Sequence, residues 1–171
     1  RNRSIQLHVT LSETNVCAVI DFLVSGGQTG VDRAALDVAL ELGIPCGGWC
    51  PRGRRAEDGR IPARFPVKEC TSRNYAVRTR RNVEESDGTL ILSRGKLTGG
   101  TALTESIARQ MGKPWLVIDL VAEFDARPVE EWIVENRIRT LNVAGPRESQ
   151  QIGIFDQASE YLRQVIKRPA E

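Results

Sequence analysis

The stretch that decides the fold is Phe22-Leu23-Val24-Ser25-Gly26-Gly27-Gln28-Thr29-Gly30-Val31-Asp32. Its first three residues end a mostly apolar, β-branched run that begins at Cys17, and such a run is the pattern of a buried strand. From Thr29 to Leu42 the apolar residues return at helical spacing, and Gly43 ends that helix. A buried strand that passes through glycines into an amphipathic helix predicts the first half of a βαβ unit.

The same alternation continues to the end of the chain. It predicts strands at 44–49, 88–93, 115–120 and 139–145, and helices at 74–86, around Leu103 to Met111, at 129–136 and from Ile154. Such alternation predicts an α/β fold, a Rossmann-like doubly wound and mainly parallel sheet with helices on both faces. We expect one domain over residues 1–171, in which residues 1–16 are either an extra strand or a loose arm.

Composition narrows the class of protein. The 171 residues are 40% hydrophobic and 27% charged, as in ordinary soluble domains. No apolar run approaches the ~20 residues of a membrane span, and the first residues lack the apolar stretch of a secretory signal, so a cytoplasmic location is expected. His8 is the single histidine, which argues against a His-based triad or zinc site. For the four cysteines, buried thiols are favoured over metal ligands.

Charge is concentrated in one segment. The net charge is only +2, yet ten basic residues and three acids lie between Pro51 and Arg81. So local an excess favours an anionic ligand site or an interface over a broad nucleic-acid face, with a solvated polar surface as the alternative. Within a long loop from Cys50 to Cys70, Arg52 and Arg55 are the candidate ligand contacts.

Three glycine-containing turns, at 25–32, 97–101 and 142–149, stand where a predicted strand gives way to a helix. Parallel topology brings all three to the carboxyl edge of the sheet, where open α/β folds bind ligands. Glycine permits close backbone approach, and helix N-termini offer unpaired N–H groups to phosphate. Alone, each is often only a tight turn; together they predict a phosphate cradle. Its candidate contacts are Gly26, Gly27, Gln28, Thr29, Gly30, Gly99, Gly100, Thr101, Gly145 and Arg147.

Known phosphate motifs and catalytic sets are absent. No lysine follows Gly30 as a P-loop requires, and the dinucleotide fingerprint Gly-x-Gly-x-x-Gly does not occur. Asp32 and Glu105 are the candidate acids or bases if the protein is an enzyme. The alternative is that they only complement the positive ends of their helices.

Several long motifs resemble one family. They are residues 25–36, 48–59, 86–89, 99–101 and 141–149, and together they resemble the putative molybdenum cofactor carrier proteins from about Leu23 to Leu162. The resemblance implies a Rossmann-like fold related to the lysine-decarboxylase-like, cytokinin-activating phosphoribohydrolases. It also implies a homo-oligomer, with a tetramer as the expected state, that stores or delivers the molybdenum cofactor (molybdopterin), a phosphorylated anionic pterin whose own sulfurs hold the metal.

One departure from the related hydrolases bears on catalysis. Their pattern Pro-Gly-Gly-x-Gly-Thr-x-x-Glu ends in a catalytic glutamate, but here Thr104 stands at that position and Glu105 one place later. One residue turns a side chain by about 100° around a helix. The sequence therefore favours a non-catalytic binding protein. An enzyme or sensor for a nucleotide or ribosyl phosphate is the alternative, and an arginine-based interaction protein ranks last.

Overall fold

The computed structural model describes residues 18–122 and 124–167. Its elements are, in chain order, β1 (Phe22–Val24), α1 (Val31–Leu42), β2 (Cys46–Gly47), β3 (Trp49–Cys50), β4 (Arg55–Ala56), β5 (Gly59–Arg60), β6 (Lys68–Glu69), α2 (Tyr75–Glu84), β7 (Gly88–Ser93), α3 (Gly99–Gln110), β8 (Trp115–Asp119), α4 (Arg127–Glu135), β9 (Thr140–Ala144) and α5 (Ile154–Val165). The described residues do not include segment 1–16, predicted as an extra strand or a loose arm, nor His8 within it, nor Cys17.

A five-stranded parallel sheet forms the centre, in the order β2-β1-β9-β7-β8. Every residue of β7 is buried, as expected of a strand covered on both faces. Helix α1 packs against α5 and α5 against α4, whereas α2 packs against α3. The predicted Rossmann-like, doubly wound α/β fold is therefore confirmed.

The strand order explains why distant turns meet. β9 follows every other strand in sequence but lies in the middle of the sheet, between β1 and β7. A hydrogen bond of 2.7 Å from Ser25 Oγ to the Val143 carbonyl joins the ends of β1 and β9. The segments that follow β1, β9 and β7 thus leave one edge of the sheet side by side.

The predicted strand at 44–49 is wrong in one respect, because two strands of different sheets occupy it. β2 pairs with β1, whereas β3 pairs with β6 in a separate two-stranded sheet. The break falls at Gly48, whose φ of 129° is accessible mainly to glycine. A Cβ at Gly48 would overlap the Ser25 carbonyl, so the backbone bends there against the first glycine turn.

The segment from Cys50 to Cys70, predicted as one long ordered loop, is ordered but also contains the two-residue strands β4, β5 and β6, and one arginine organises it. Arg54 donates to the carbonyls of Ile61, Pro62, Phe65 and Val67 over 2.9–3.1 Å. Cys46, Cys50 and Cys70 are buried free thiols, and burial raises their pKa values. In the described part of the chain, no helix combines the length and apolar character needed to cross a membrane.

Candidate functional site

A buried ion pair lies beneath the first glycine turn. Nη1 of Arg78, on α2, donates to Oδ2 of Asp32, on α1, over 3.1 Å. Both side chains are largely withdrawn from solvent, with 14% and 4% of their surfaces exposed. A Cβ at Gly26 would overlap Nη1 of Arg78 and lie 2.8 Å from Oδ2 of Asp32. Glycine at position 26 therefore leaves the space in which this pair forms.

Gln28 presents an unpartnered donor at the same place. Its Oε1 accepts from the backbone N–H of Thr29 at 3.0 Å and of Glu57 at 2.9 Å. Two backbone donors on one oxygen fix the orientation of the amide, so the other atom is Nε2. Gln28 is only 4% exposed, and among the described residues Nε2 has no hydrogen-bond partner. A buried polar atom without a partner indicates a missing ligand or water.

The N-terminus of α3 supplies further donors. No acceptor in the described ranges pairs with the N–H groups of Gly99 and Gly100, the first two residues of this helix. Nothing lies within 4 Å of a Cβ built on Gly100, so this end of the helix is open. Thr104 Oγ1 donates to the Gly100 carbonyl at 2.9 Å. The positive end of a helix with open N–H groups favours an anion.

The turn after β9 contributes a side chain where we expected amides. Its N–H groups at Arg147, Glu148 and Ser149 donate to Gln150 Oε1, Thr29 Oγ1 and Glu57 Oε1, respectively. The Glu148 carboxylate accepts from the N–H groups of Gly153 and Phe155, and so occupies the start of α5. These N–H groups already have acceptors within the protein. Arg147 is therefore able to contact a ligand only through its guanidinium.

Tyr75 places two cations at the site. The guanidinium of Arg147 lies 5.0 Å from the centre of its ring, and that of Arg78 lies 5.9 Å from it. Each distance is within the range of a cation–π interaction. Tyr75 is the first residue of α2, which the Asn74 side chain caps by accepting from the Ala76 N–H at 2.9 Å. One aromatic ring therefore holds an arginine from a helix and another from a loop.

These groups line one cavity, the edge cleft, of about 80 Å³. The turns after β1, β7 and β9 all contribute to it. Its lining residues are Gln28, Asp32, Tyr75, Arg78, Thr79, Gly100, Thr101, Leu103, Thr104, Ala144, Gly145, Arg147 and Gln150. Two guanidiniums and one carboxylate are the charges among them. The edge cleft therefore has a net positive lining and the size of a small anion.

Asp32 differs from the other polar groups of the edge cleft. Burial raises the pKa of its carboxyl above the ordinary value, although Arg78 and the N–H of Gln28 act in the opposite direction. The N–H of Gln28 lies 3.3 Å from Oδ2. A carboxyl that holds its proton more tightly than usual is able to exchange that proton with a bound ligand.

A second and larger cavity, the outer groove, also includes residues of the first glycine turn in its lining. It measures about 640 Å³ and is lined by Thr29, Gly30, Arg33, Asp37, Glu57, Asp58, Arg64, Glu148, Ser149, Ile152 and Phe155. Both terminal nitrogens of the Arg33 guanidinium, Nη1 and Nη2, pair with Asp58, and Arg64 pairs with Asp37. Its four carboxylates outnumber its two guanidiniums, so the groove does not favour an anion.

Glu57 lines the outer groove and accepts hydrogen bonds from two of the turns. Thr29 Oγ1 and Ser149 Oγ both donate to its carboxylate, and the Ser149 N–H does so at 3.2 Å. Desolvation acts to raise the pKa of Glu57, but these hydrogen bonds outweigh it and lower the pKa below its ordinary value. The glycine turn, the arginine-rich loop and the turn after β9 are thus tied together at one carboxylate.

The structure brings together six of the predicted site residues and separates the others. Gln28, Asp32, Gly100, Thr101, Gly145 and Arg147 line the edge cleft. Gly26 lies beneath it, and Gly99 stands beside it as the first residue of α3. The edge cleft is not lined by Gly27, Thr29 or Gly30, which form the first glycine turn itself. A Cβ at Gly27 would lie 3.1 Å from Ile61, and one at Gly30 would overlap the Pro146 carbonyl.

Arg52, Arg55 and Glu105 lie elsewhere. Both arginines are exposed and line neither cavity. Glu105 pairs with Arg109 at 2.8 Å on the surface of α3, while Thr104 faces the edge cleft. The position that carries glutamate in the related hydrolases therefore faces the cleft but holds threonine.

Sequence reasoning missed Tyr75, Arg78, Thr104 and Gln150. Arg78 is one of ten basic residues between Pro51 and Arg81, and the count alone does not distinguish it. One signal was available for Tyr75 and Arg78. Asn74 is a strong N-cap residue, so α2 begins there. Positions 75 and 78, three residues apart, then lie on the same face of its first turn.

Comparisons with known proteins agree with the fold and with the predicted resemblance. The model of the circularly permutated YpsA SLOG family matches residues 23–166. The crystal structure of a protein from Syntrophus aciditrophicus SB, named "putative molybdenum carrier protein", superposes with a TM-score of 0.84 at 47% sequence identity. The match covers 86% of this chain and 94% of that chain. No curated protein of described function matches the chain.

Proposed function

The chain belongs to the circularly permutated YpsA SLOG family, and we propose that it is a carrier that binds the molybdenum cofactor by the cofactor's phosphate group. The Syntrophus aciditrophicus protein named as a molybdenum carrier is 47% identical over most of both chains, which supports this assignment. The observation that carries the phosphate site is Nε2 of Gln28, a buried donor without a partner beside two arginines.

The edge cleft fits the phosphate end of the cofactor and not the whole molecule. Whole small ligands usually occupy ~300–1,000 Å³, whereas the edge cleft holds about 80 Å³. We therefore place the phosphate between the N-terminus of α3, Gln28 and Arg147. The pterin lies outside it, toward Tyr75 and the exposed side chain of Leu103.

The metal is cargo in this scheme, held by the sulfurs of the pterin. Within 18–122 and 124–167, no group of three or more His, Cys, Asp or Glu side chains is arranged to hold a metal ion. The chain's own residues bind and orient the phosphate. Since several donors are already in place before binding, little ordering is needed when the ligand enters.

Calorimetry tests the proposal with two probes, inorganic phosphate and isolated molybdenum cofactor under anaerobic conditions. We expect the cofactor to bind at micromolar protein and phosphate to compete with it for the same site. Arg147→Gln should weaken both about tenfold, since a hydrogen bond to a charged group contributes ~1.5–3 kcal/mol.

Arg60→Gln is the matched control, because Arg60 is an exposed arginine that lines neither cavity. It should bind both probes as the wild type does. Absence of cofactor binding to folded protein would reject the carrier function, and binding without competition by phosphate would reject the phosphate site.

A nucleotide- or ribosyl-phosphate-processing enzyme is the second candidate, and one observation favours it. Asp32 lies in the edge cleft with a raised pKa, as a general acid requires. Nucleoside monophosphates should then release free base, and Asp32→Asn should abolish the release. Loss of base release in Glu105→Ala would instead place the chemistry on α3. No release from any nucleotide would reject this candidate.

We also propose that the protein forms homo-oligomers, as the family resemblance implies. The edge strand β8 supports this, since Val117 is 37% exposed and Val121, just beyond it, is 69% exposed. Sedimentation equilibrium should give a mass above the 19.0 kDa of one chain. A monomer at micromolar concentration would contradict the proposal.

A further inference from the structure

Asp32 is an unusual residue for an anion site. It lines the edge cleft, where Gln28 Nε2, the α3 N–H groups and the arginines are all donors, yet it is a carboxyl. Its Oδ2 is held by Arg78 at 3.1 Å and by the Gln28 N–H at 3.3 Å. An anion in the edge cleft therefore meets three kinds of donor and one carboxyl group.

The charged and titratable groups around Asp32 come from several elements. Arg78 on α2 contacts it directly, and Arg147 and Tyr75 line the same cleft. Glu57 lies beyond Thr29, and the Cys50 and Cys70 thiols lie near Arg78, where burial keeps them neutral. Arg78 is the charge that acts on Asp32, and burial opposes it by raising the Asp32 pKa.

Two negative groups in one small site share a proton more readily than they both ionise. A phosphate monoester keeps a proton at low cost, because its second pKa is about 6. Sulfate has the same tetrahedral shape but keeps no proton near neutral pH. If sulfate occupies the cleft, only Asp32 is able to carry the proton. If phosphate occupies it, the proton is shared between the phosphate and Asp32.

We propose that Asp32 is the specificity-determining residue of the edge cleft and selects phosphate monoesters over sulfate, because the phosphate retains one O–H that donates to the Asp32 carboxylate. This inference rests on the proposed phosphate site. Binding then takes one proton from solvent for each dianion bound, the proton forms an O–H bond on a phosphate oxygen, and no other covalent bond forms or breaks.

Titration of the full chain with inorganic phosphate and with sulfate at pH 8 tests the inference. We expect phosphate to bind at least about tenfold more tightly than sulfate, a difference of ~1.4 kcal/mol. Asp32→Asn keeps the size of the side chain and should reduce the ratio to near one. Arg147→Gln should weaken both anions while keeping the ratio.

A second measurement needs only the wild-type protein. Calorimetry of phosphate binding at pH 8, in two buffers with different heats of ionisation, should give an uptake close to one proton. Equal binding of the two anions, a ratio that persists in Asp32→Asn, or phosphate binding without proton uptake would each overturn the inference. In those cases phosphate still binds, so the proposed site stands; if neither anion binds, both fall.

Discussion

The edge cleft and the outer groove are both lined by charged residues and both include residues of the first glycine turn, Gln28 and Asp32 in the cleft and Thr29 and Gly30 in the groove. In the outer groove the cations are already paired, Arg33 with Asp58 and Arg64 with Asp37, although Nε of Arg33 has no partner among the described residues. In the edge cleft, Gln28 Nε2 and two helix N–H groups have no acceptor among the described residues. The groove has eight times the volume, about 640 against about 80 Å³, yet its lining is net negative.

The difference teaches that open hydrogen-bond donors combined with a net positive lining mark an anion site better than volume or arginine content does. Leaving a buried donor without a partner costs ~1–3 kcal/mol, and a ligand that supplies the acceptor recovers that free energy. A paired guanidinium offers no such gain, because its partner must first be displaced. The following predictions separate the two cavities on this basis.

The largest effect is expected from Gly26→Ala. The added methyl overlaps the Arg78 guanidinium, which must leave Asp32 and the floor of the edge cleft. We expect phosphate affinity, measured by calorimetry, to fall about 100-fold and the free energy of unfolding to drop by about 1–3 kcal/mol.

Gly100→Ala is the matched control for Gly26→Ala. Its φ is not positive and no protein atom lies within 4 Å of the new Cβ, so we expect the fold and the Arg78–Asp32 pair to be kept and phosphate affinity to fall less than in Gly26→Ala. A larger loss in Gly100→Ala than in Gly26→Ala would contradict the assigned floor of the edge cleft.

The next effect concerns stability on the groove side. Arg54→Gln removes the guanidinium that donates to four loop carbonyls, so we expect the free energy of unfolding to fall by about 1–3 kcal/mol in urea denaturation. Phosphate binding should change little, because Arg54 does not line the edge cleft. If phosphate binding were lost at unchanged stability, the arginine-rich loop would belong to the ligand site.

A smaller effect is expected at Tyr75, where two substitutions distinguish the contribution of the ring from that of the hydroxyl group. Tyr75→Ala removes the ring that holds Arg78 and Arg147, and two cation–π interactions of ~0.5–1 kcal/mol each predict about a 5- to 30-fold loss of phosphate affinity. Tyr75→Phe keeps the ring and should bind phosphate like the wild type. Equal losses in both variants would assign the role to the hydroxyl group.

The smallest effect is a pH dependence at Glu57. Its pKa in the folded protein is below the ordinary 4.5, so its contribution to stability is present above pH 4.5 and is lost as pH falls through the folded pKa. Glu57→Gln should therefore flatten the decline of melting temperature below pH 4.5. An unchanged slope would show that the hydrogen bonds from Thr29 and Ser149 do not favour the ionised form.

The sequence predicted much of the fold, because β7 and the four helices after α1 carry clear periodicity and end signals. It also predicted that three glycine turns share one sheet edge. It did not predict which arginines face that edge, since a run of arginines has no period that distinguishes Arg78 from Arg52. Nor did it predict that Glu57 occupies the Ser149 N–H of the third turn, because that contact joins residues far apart in sequence.

The most direct test of the account is to locate an anion in a crystal of the protein soaked with arsenate, a phosphate analogue that scatters anomalously. The account predicts an anomalous peak in the edge cleft, within hydrogen-bonding distance of Gln28 Nε2, the Gly100 N–H and the Arg147 guanidinium. A peak in the outer groove beside Arg33 or Arg64, with the edge cleft holding none, would contradict it.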